Sequence, residues 1–281
     1  MVVAAGNMGR DNSVNENGYG TITAPGNDPL VITVGAVNTF GSLDRTQHKV
    51  ASYSSKGPTG IDHIMKPDLV APGNNIYATE CLTSTGAPCP LPASYAGNVV
   101  PLSDFASGGG SAPPNWYFRL SGTSMAAPMV SGAVALLLDK WPSLTPDQVK
   151  GILMGTAQRT TFVSAYTVTS SGKSYTIHHD PFTIGAGELD IMGALNCSAL
   201  PSSSRNAASP SVNYNASTGA LTVVSGTNAI WGSNAIWGSN AIWGSNAIWG
   251  SNAIWGSNAI WGSSTTSALN ATSSVLINGD N

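Results

Sequence analysis

The first 197 residues alternate short apolar runs that suit strands with longer stretches in which apolar residues recur at helical spacing. The clearest strand signal is residues 31–37, VITVGAV, which are almost continuously apolar and rich in β-branched side chains. Such a run is typical of a strand buried on both faces of a parallel sheet. The alternation predicts an α/β domain with a mostly parallel sheet and flanking helices.

Two helices are predicted from spacing and from their end signals. Apolar residues recur at helical spacing over residues 124–140, and a proline follows the end of this segment. A second helix is predicted to begin after Thr145, which suits the N-cap. Pro146 suits the first helical position and Gln148 the capping-box position. We expect this second helix to end near residue 156.

Composition divides the chain into four parts. Residues 1–197 form the predicted domain, in which residues 80–115 are rich in Pro, Gly and Ser and predict a long surface loop. Residues 198–227 are a Ser/Asn-rich linker, 228–263 a repeat segment and 264–281 a polar tail. The parts after residue 197 are expected to lie outside the globular domain.

The repeat segment contains the hexapeptide NAIWGS six times without variation. A six-residue period is even, so in an extended strand all Ile side chains would lie on one face and all Trp side chains on the other. This pattern suits a stacked β-structure or self-association between chains. The Gly, Ser and Asn of each repeat equally suit a disordered low-complexity tail, and the sequence leaves both alternatives open.

Bulk composition excludes some partner classes. The charged residues Asp, Glu, Lys and Arg make up only 9% of the 281 residues, and the net charge is -3. This balance offers no basic surface for nucleic acid or anionic lipid, so neither partner is expected. Cys81 and Cys89 could pair, leaving Cys197 unpartnered, and three free thiols are an equally good interpretation.

The sharpest chemical motif is residues 121–128, SGTSMAAP, at the predicted junction between a loop and the first helix. The first N–H groups of a helix have no intrahelical partner and favour developing negative charge. Ser124 could there present its hydroxyl to a carbonyl as a nucleophile. A serine before a helix is also a common N-cap, so the serine alone does not decide between these roles.

The whole octet resembles the nucleophile block of the subtilisin family of serine proteases. Further blocks follow in that family's order, namely VAAGN at 3–7, VITVGAV at 31–37, ASYSSKGP at 51–58, KPDLVAPG at 66–73 and GAGELD at 185–190. The resemblance implies the C-terminal portion of a subtilisin-like α/β catalytic domain, truncated at its N-terminal side. It also implies that Ser124 is the nucleophile and that Asn7 donates its side-chain N–H to the oxyanion. Thr23 and Ala24 would lie near the base of the specificity pocket.

The general base is the missing part. The family places its Asp and His before the block that contains Asn7, and the sequence opens at that block, so we expect both to lie upstream of residue 1. The chain contains four histidines, all without the family's His-Gly-Thr context and all expected in surface or loop positions: His48, His63, His178 and His179.

The resemblance implies a secreted serine endopeptidase that hydrolyses protein or peptide substrates through an acyl-enzyme on Ser124. As given, the chain is expected to be nearly inactive, unless an N-terminal fragment complements it. The alternative is a non-catalytic structural or adhesive protein, with a decayed protease module and a self-associating repeat. No cofactor or metal site is predicted, and the family's frequent use of calcium leaves a calcium requirement open.

Overall fold

A computed structural model describes residues 1–11, 17–79, 96–100, 117–159, 162–215, 220–224 and 279–280. Most of the predicted loop at 80–115, with Cys81 and Cys89, and the whole repeat segment lie outside these residues. Cys197 forms no disulfide within the described part of the chain. No helix in the described ranges is long and apolar enough to cross a membrane.

A small parallel sheet forms the centre of the fold. Strand β2 (Ile32–Asn38) pairs in parallel with β1 (Val2–Ala4) on one side and with β4 (Leu69–Pro72) on the other. The short strand β3 (Lys49–Val50) pairs antiparallel with the end of β2. All seven residues of β2 are buried, which confirms the buried strand that the β-branched run predicts.

Both predicted helices are present. Helix α1 (Thr123–Lys140) packs on β1, β2 and β4 and buries Ala126, Val130 and Leu137. Helix α2 (Pro146–Thr156) has the predicted capping box, with the side chains of Thr145 and Gln148 each bonded to the other's backbone N–H. Two shorter helices follow, α3 (Pro181–Ile184) and α4 (Ile191–Leu195).

Several antiparallel pairs have no counterpart in the sequence prediction. Strand β7 (Tyr117–Leu120) pairs with β5 (Ile76–Thr79) and with β6 (Val99–Val100). Strands β8 (Ala165–Ser170) and β9 (Lys173–His178) form a hairpin. The prediction of an irregular loop over 80–115 is therefore wrong at Val99–Val100, where backbone pairing with β7 makes a strand.

The predicted linker at 198–227 is not separate from the domain. It contains the hairpin β10 (Ser211–Asn215) and β11 (Ala220–Val224), and Ala207 and Val212 are buried in the same core as α1. The Met65 N–H donates to the Pro210 carbonyl at 2.8 Å. The Ser/Asn composition predicts a linker, but the buried side chains of Ala207 and Val212 attach the segment to the core.

A buried charge cluster joins this segment to the sheet. Asp68 pairs with the ammonium of Lys66 at 2.7 Å and that of Lys150 at 3.1 Å, and it accepts a hydrogen bond from the Ser209 hydroxyl at 2.6 Å. Lys150 also donates to the carbonyl of Val31. Burial, with the neighbouring Lys66 ammonium adding to it, lowers the pKa of Lys150 to about 8, and Asp68 opposes that shift.

Candidate active site

The carboxyl ends of two parallel strands and the amino end of α1 meet at one edge of the sheet. Strand β1 leads to Asn7, β4 leads to Gly73, and α1 begins at Thr123. The Gly122 N–H donates to the Gly73 carbonyl at 2.8 Å, which fixes the start of the helix beside the end of β4. In open α/β sheets, binding and catalytic sites form at this edge.

Asn7 caps α1 from a distant part of the sequence. The N-cap residue is Gly122, which has no side chain to accept a hydrogen bond. Instead Oδ1 of Asn7 accepts hydrogen bonds from the backbone N–H and from the hydroxyl of Thr123, both at 3.0 Å. One of the unpaired N–H groups of the first turn is thereby satisfied.

The other end of the Asn7 amide remains available as a donor. Within the described residues, Nδ2 of Asn7 forms no hydrogen bond. A Cβ built on Gly122 would lie 3.2 Å from Nδ2, so this group sits beside the backbone two residues before Ser124. The Ser124 N–H belongs to the first turn of α1 and has no intrahelical acceptor, and the Ser124 side chain is exposed.

The loop that carries Asn7 is held from two sides. The Gly6 N–H donates to the Thr123 hydroxyl at 3.1 Å. On the other side the Ser55 N–H donates to the Gly6 carbonyl at 2.9 Å, and the Met8 N–H donates to the Ser55 hydroxyl at 3.0 Å. A neutral amide donor held this firmly is suited to stabilise an oxyanion, because it needs little reorganisation.

The structure brings the two predicted site residues, Asn7 and Ser124, to the same helix end. Thr23 and Ala24 are exposed, and the Thr23 N–H donates to the Ala5 carbonyl at 3.3 Å, two residues before Asn7. Their role in a specificity pocket stays a prediction. Sequence reasoning missed Thr123 as a supporting residue, although it lies inside the octet that contains Ser124.

In two histidines, His48 and His179, both ring nitrogens contact residues other than Ser124. Nδ1 of His48 lies 3.0 Å from both carboxylate oxygens of Glu188, and Nε2 lies 3.0 Å from the Ser42 carbonyl oxygen. Nδ1 of His179 contacts the Val163 carbonyl, and Nε2 accepts from the Val50 N–H at 3.2 Å.

The expected surface or loop positions are only partly right. His48 lies in a loop but is buried, because its ring pairs with the buried Glu188 carboxylate. His178 is the last residue of β9. His63 directly follows a turn, and its carbonyl accepts a hydrogen bond from the Val212 N–H at 2.9 Å.

No metal centre is found among the residues that the structure describes. In those ranges no three His, Cys, Asp or Glu side chains come together as metal ligands would. The carbonyl oxygens of Pro29 and Val31, which a cation could otherwise use, accept hydrogen bonds from the ammonium of Lys150. A calcium requirement stays untested.

Comparison with known proteins defines the class of this site. The family model of the subtilase family, peptidase S8, matches residues 1–187, and the chain belongs to that family. It is 39% identical over 153 residues to serine protease AprX of Bacillus subtilis and 33% identical over 157 residues to subtilisin DY of Bacillus licheniformis. The first of these matches covers 54% of the chain and the second 56%.

The chain spans only part of these relatives. The matches cover 29% of AprX and 39% of subtilisin DY. Among solved structures, fervidolysin from Fervidobacterium pennivorans aligns with a TM-score of 0.45 and 25% identity, over 71% of this chain and 23% of that protein.

Proposed function

We propose that this chain carries the nucleophile and oxyanion hole of a serine endopeptidase. The observation that supports the proposal is the placement of the Asn7 amide beside the amino end of the helix that presents Ser124. Ser124 supplies the attacking oxygen, and the Ser124 N–H and Asn7 Nδ2 supply two donors for the oxyanion. Membership of the subtilase family supports this proposal, because the resemblance of the motif blocks implies the same roles for these two residues.

The reaction has two halves. The Ser124 hydroxyl oxygen adds to the scissile carbonyl carbon while a histidine takes its proton, and negative charge collects on the carbonyl oxygen. The intermediate collapses to an ester on Ser124, and the amine leaves with the proton from the histidine. Water, deprotonated by the same histidine, then hydrolyses the ester and restores the hydroxyl.

The histidine and its orienting aspartate come, in this proposal, from a polypeptide segment outside the given sequence. Two surfaces support such an arrangement. Strand β1 pairs only with β2 among the described residues, which leaves its other edge unpaired. Helix α1, which packs on β1, exposes Met129 and Leu136, which are 37% and 46% accessible. The segment is either an earlier part of the same polypeptide or a separate complementing chain.

Family membership supports the remaining assignments of this proposal. Proteins or peptides are the substrates, and the location is extracellular, as the name of the matched CO(2)-response secreted protease of Arabidopsis thaliana indicates for that relative. Nucleic acid and membrane partners remain unexpected on charge. The non-catalytic adhesive alternative is not favoured, because the matched relatives are named as proteases. Self-association through the repeat stays a prediction.

The test compares the chain alone with the chain joined to, or mixed with, a subtilase segment that contains the Asp and His blocks. We expect casein hydrolysis and fluorophosphonate labelling only when that segment is present. Ser124→Ala should abolish both, whereas Ser131→Ala, which removes an exposed hydroxyl from the same helix, should preserve both. Undiminished hydrolysis by the Ser124→Ala protein would refute the proposal.

A further inference from the structure

A polar pocket beside the candidate active site holds two residues from the far end of the chain, Gly279 and Asp280. The Asp280 carboxylate pairs with the guanidinium of Arg10. It also accepts hydrogen bonds from the N–H and the hydroxyl of Ser52, both at 2.5 Å. The Asp280 side chain is only 7% exposed, so these contacts replace nearly all of its hydration.

The backbone of Asp280 is bound as well. Its N–H donates to Oδ1 of Asn74 at 2.9 Å, and its carbonyl accepts from Nδ2 of Asn38 at 3.2 Å. Asn38, Ser52 and Asn74 are all more than nine-tenths buried. Each polar group of this residue, on the backbone and on the side chain, therefore has a partner in the domain.

The position before Asp280 admits only a glycine, because of its backbone conformation and its close neighbours. Gly279 has a φ of +58°, a conformation that residues with a Cβ rarely adopt. A Cβ there would lie 2.5 Å from the Ser121 hydroxyl and closer still to Oδ1 of Asn74. Glycine alone fits this position without displacing its neighbours.

The pocket is organised by contacts that do not involve the bound residues. The Arg10 guanidinium donates to the Ser52 hydroxyl at 2.5 Å and to the Ser170 hydroxyl at 3.0 Å, so the domain itself holds the cation in place. Nδ2 of Asn74 is buried without a partner among the described residues, which leaves one more donor facing this region.

We propose that Arg10, Asn38, Ser52 and Asn74 form a binding site for the dipeptide Gly-Asp, filled in cis by residues 279–280. This inference is independent of the proposed protease activity. It has a consequence for that site, however, because Arg10 follows Asn7 by three residues and Ser121 precedes Ser124 by three. The docked dipeptide therefore joins the two segments that carry the nucleophile and the oxyanion donor.

Hydrogen exchange of the full chain tests the proposal, because the Ser52 N–H donates to the Asp280 carboxylate. We expect the Ser52 and Asp280 amides to exchange slowly in the wild type. In Asp280→Asn and in Gly279→Ala, the Ser52 amide should exchange about tenfold faster or more, as expected for loss of a hydrogen bond to a charged group. Two matched variants should leave the exchange rate of the Ser52 amide unchanged. They are Asp139→Asn on the exposed surface of α1 and Gly97→Ala, where a Cβ would meet no neighbour among the described residues.

Amides of α2 report whether a variant still folds. If they remain protected and the Ser52 amide exchanges equally fast in the wild type and in both pocket variants, the proposal is wrong. If a pocket variant unfolds, the exchange rate of the Asp280 amide in the wild type alone tests the proposal. An Asp280 amide that exchanges as fast as in a free peptide would overturn the proposal, and a protected one would support it.

Discussion

The side-chain oxygen of Asn7 lies 3.0 Å from the backbone nitrogen of Thr123 and 3.0 Å from the Thr123 hydroxyl oxygen. One amide therefore has two separable roles. Its oxygen caps the helix that carries Ser124, and its nitrogen is the donor offered to substrate. The same contact that stabilises the helix also orients the nitrogen, so fold and proposed chemistry share a single side chain.

Two substitutions of Asn7 separate these roles. Asn7→Asp retains an acceptor at the helix end, where a carboxylate is favoured by about 0.3–1 kcal/mol, so thermal stability should be unchanged or raised. Asn7→Ala removes the cap and should lower stability by about 1 kcal/mol. Both remove the donor, and in a subtilase of this family that loss lowers kcat about 10²–10³-fold.

The measurement is a thermal unfolding midpoint together with kcat for each variant. Both are measured on the chain joined to the subtilase segment that supplies the catalytic Asp and His. An Asn7→Asp protein with full kcat would show that Nδ2 is not an oxyanion donor. A stable Asn7→Ala protein would show instead that the Thr123 contact contributes nothing to folding.

Gly122 is predicted to tolerate no side chain. Its φ is +150°, and a Cβ would lie 3.2 Å from Nδ2 of Asn7. Gly122→Ala should therefore cost about 1–3 kcal/mol in backbone strain and reduce kcat by displacing the donor. Gly132→Ala, on the same helix where a Cβ would meet no neighbour among the described residues, should instead gain up to about 1 kcal/mol of helix propensity. Equal unfolding midpoints for the two variants would contradict this account.

The sequence predicts the central elements well because their signals are local. The β-branched run gives β2, and the capping box at Thr145 gives the start of α2 to the residue. The octet around Ser124 predicts which serine acts as the nucleophile in the proposed reaction. The contact of Asn7 with Thr123 spans 116 positions, and neither local pattern nor the family resemblance predicts it.

What local pattern missed depends on tertiary contacts. The hairpin of β10 and β11 lies in a segment rich in Ser and Asn, and it is held by a buried Val212 and by backbone hydrogen bonds to distant residues. His48 has no sequence feature that indicates burial, because its partner Glu188 lies 140 positions away. The overall composition of a segment does not predict such contacts, because each depends on a few residues that are far apart in sequence.

Val212 tests whether the predicted linker belongs to the domain. Its side chain is 1% exposed, and Val212→Ala should lower the free energy of unfolding by about 2 kcal/mol through lost burial and a residual cavity. Val224, in the paired strand, is 42% exposed, so Val224→Ala should change stability by no more than about 0.5 kcal/mol. Denaturant titration of both variants measures the difference, and a neutral Val212→Ala would restore the linker interpretation.

Two buried lysines, Lys150 beside Asp68 and Lys56 elsewhere in the fold, should make stability rise with pH on the alkaline side. Burial lowers the pKa of Lys150 to about 8, from an ordinary value of 10.5, and burial lowers that of Lys56 to about 8 as well. Between these values the unfolded chain binds protons that the folded chain does not, so unfolding takes up protons and its free energy increases with pH. Buried Tyr19 and Tyr53, whose pKa values are raised by burial, oppose the trend above pH 10.0, because there only the unfolded chain loses their protons.

Unfolding midpoints at about pH 7 and about pH 9.5 check this linkage. The wild type should unfold at a higher temperature at the alkaline pH, and Lys150→Met should show a smaller rise because one of the two contributing groups is gone. Lys173→Met, which removes an exposed lysine from the β8–β9 hairpin, should retain the full rise. If Lys150→Met and Lys173→Met rise equally, Lys150 keeps its proton in the folded protein across this window. Its ion pair with Asp68 then outweighs the cost of burial.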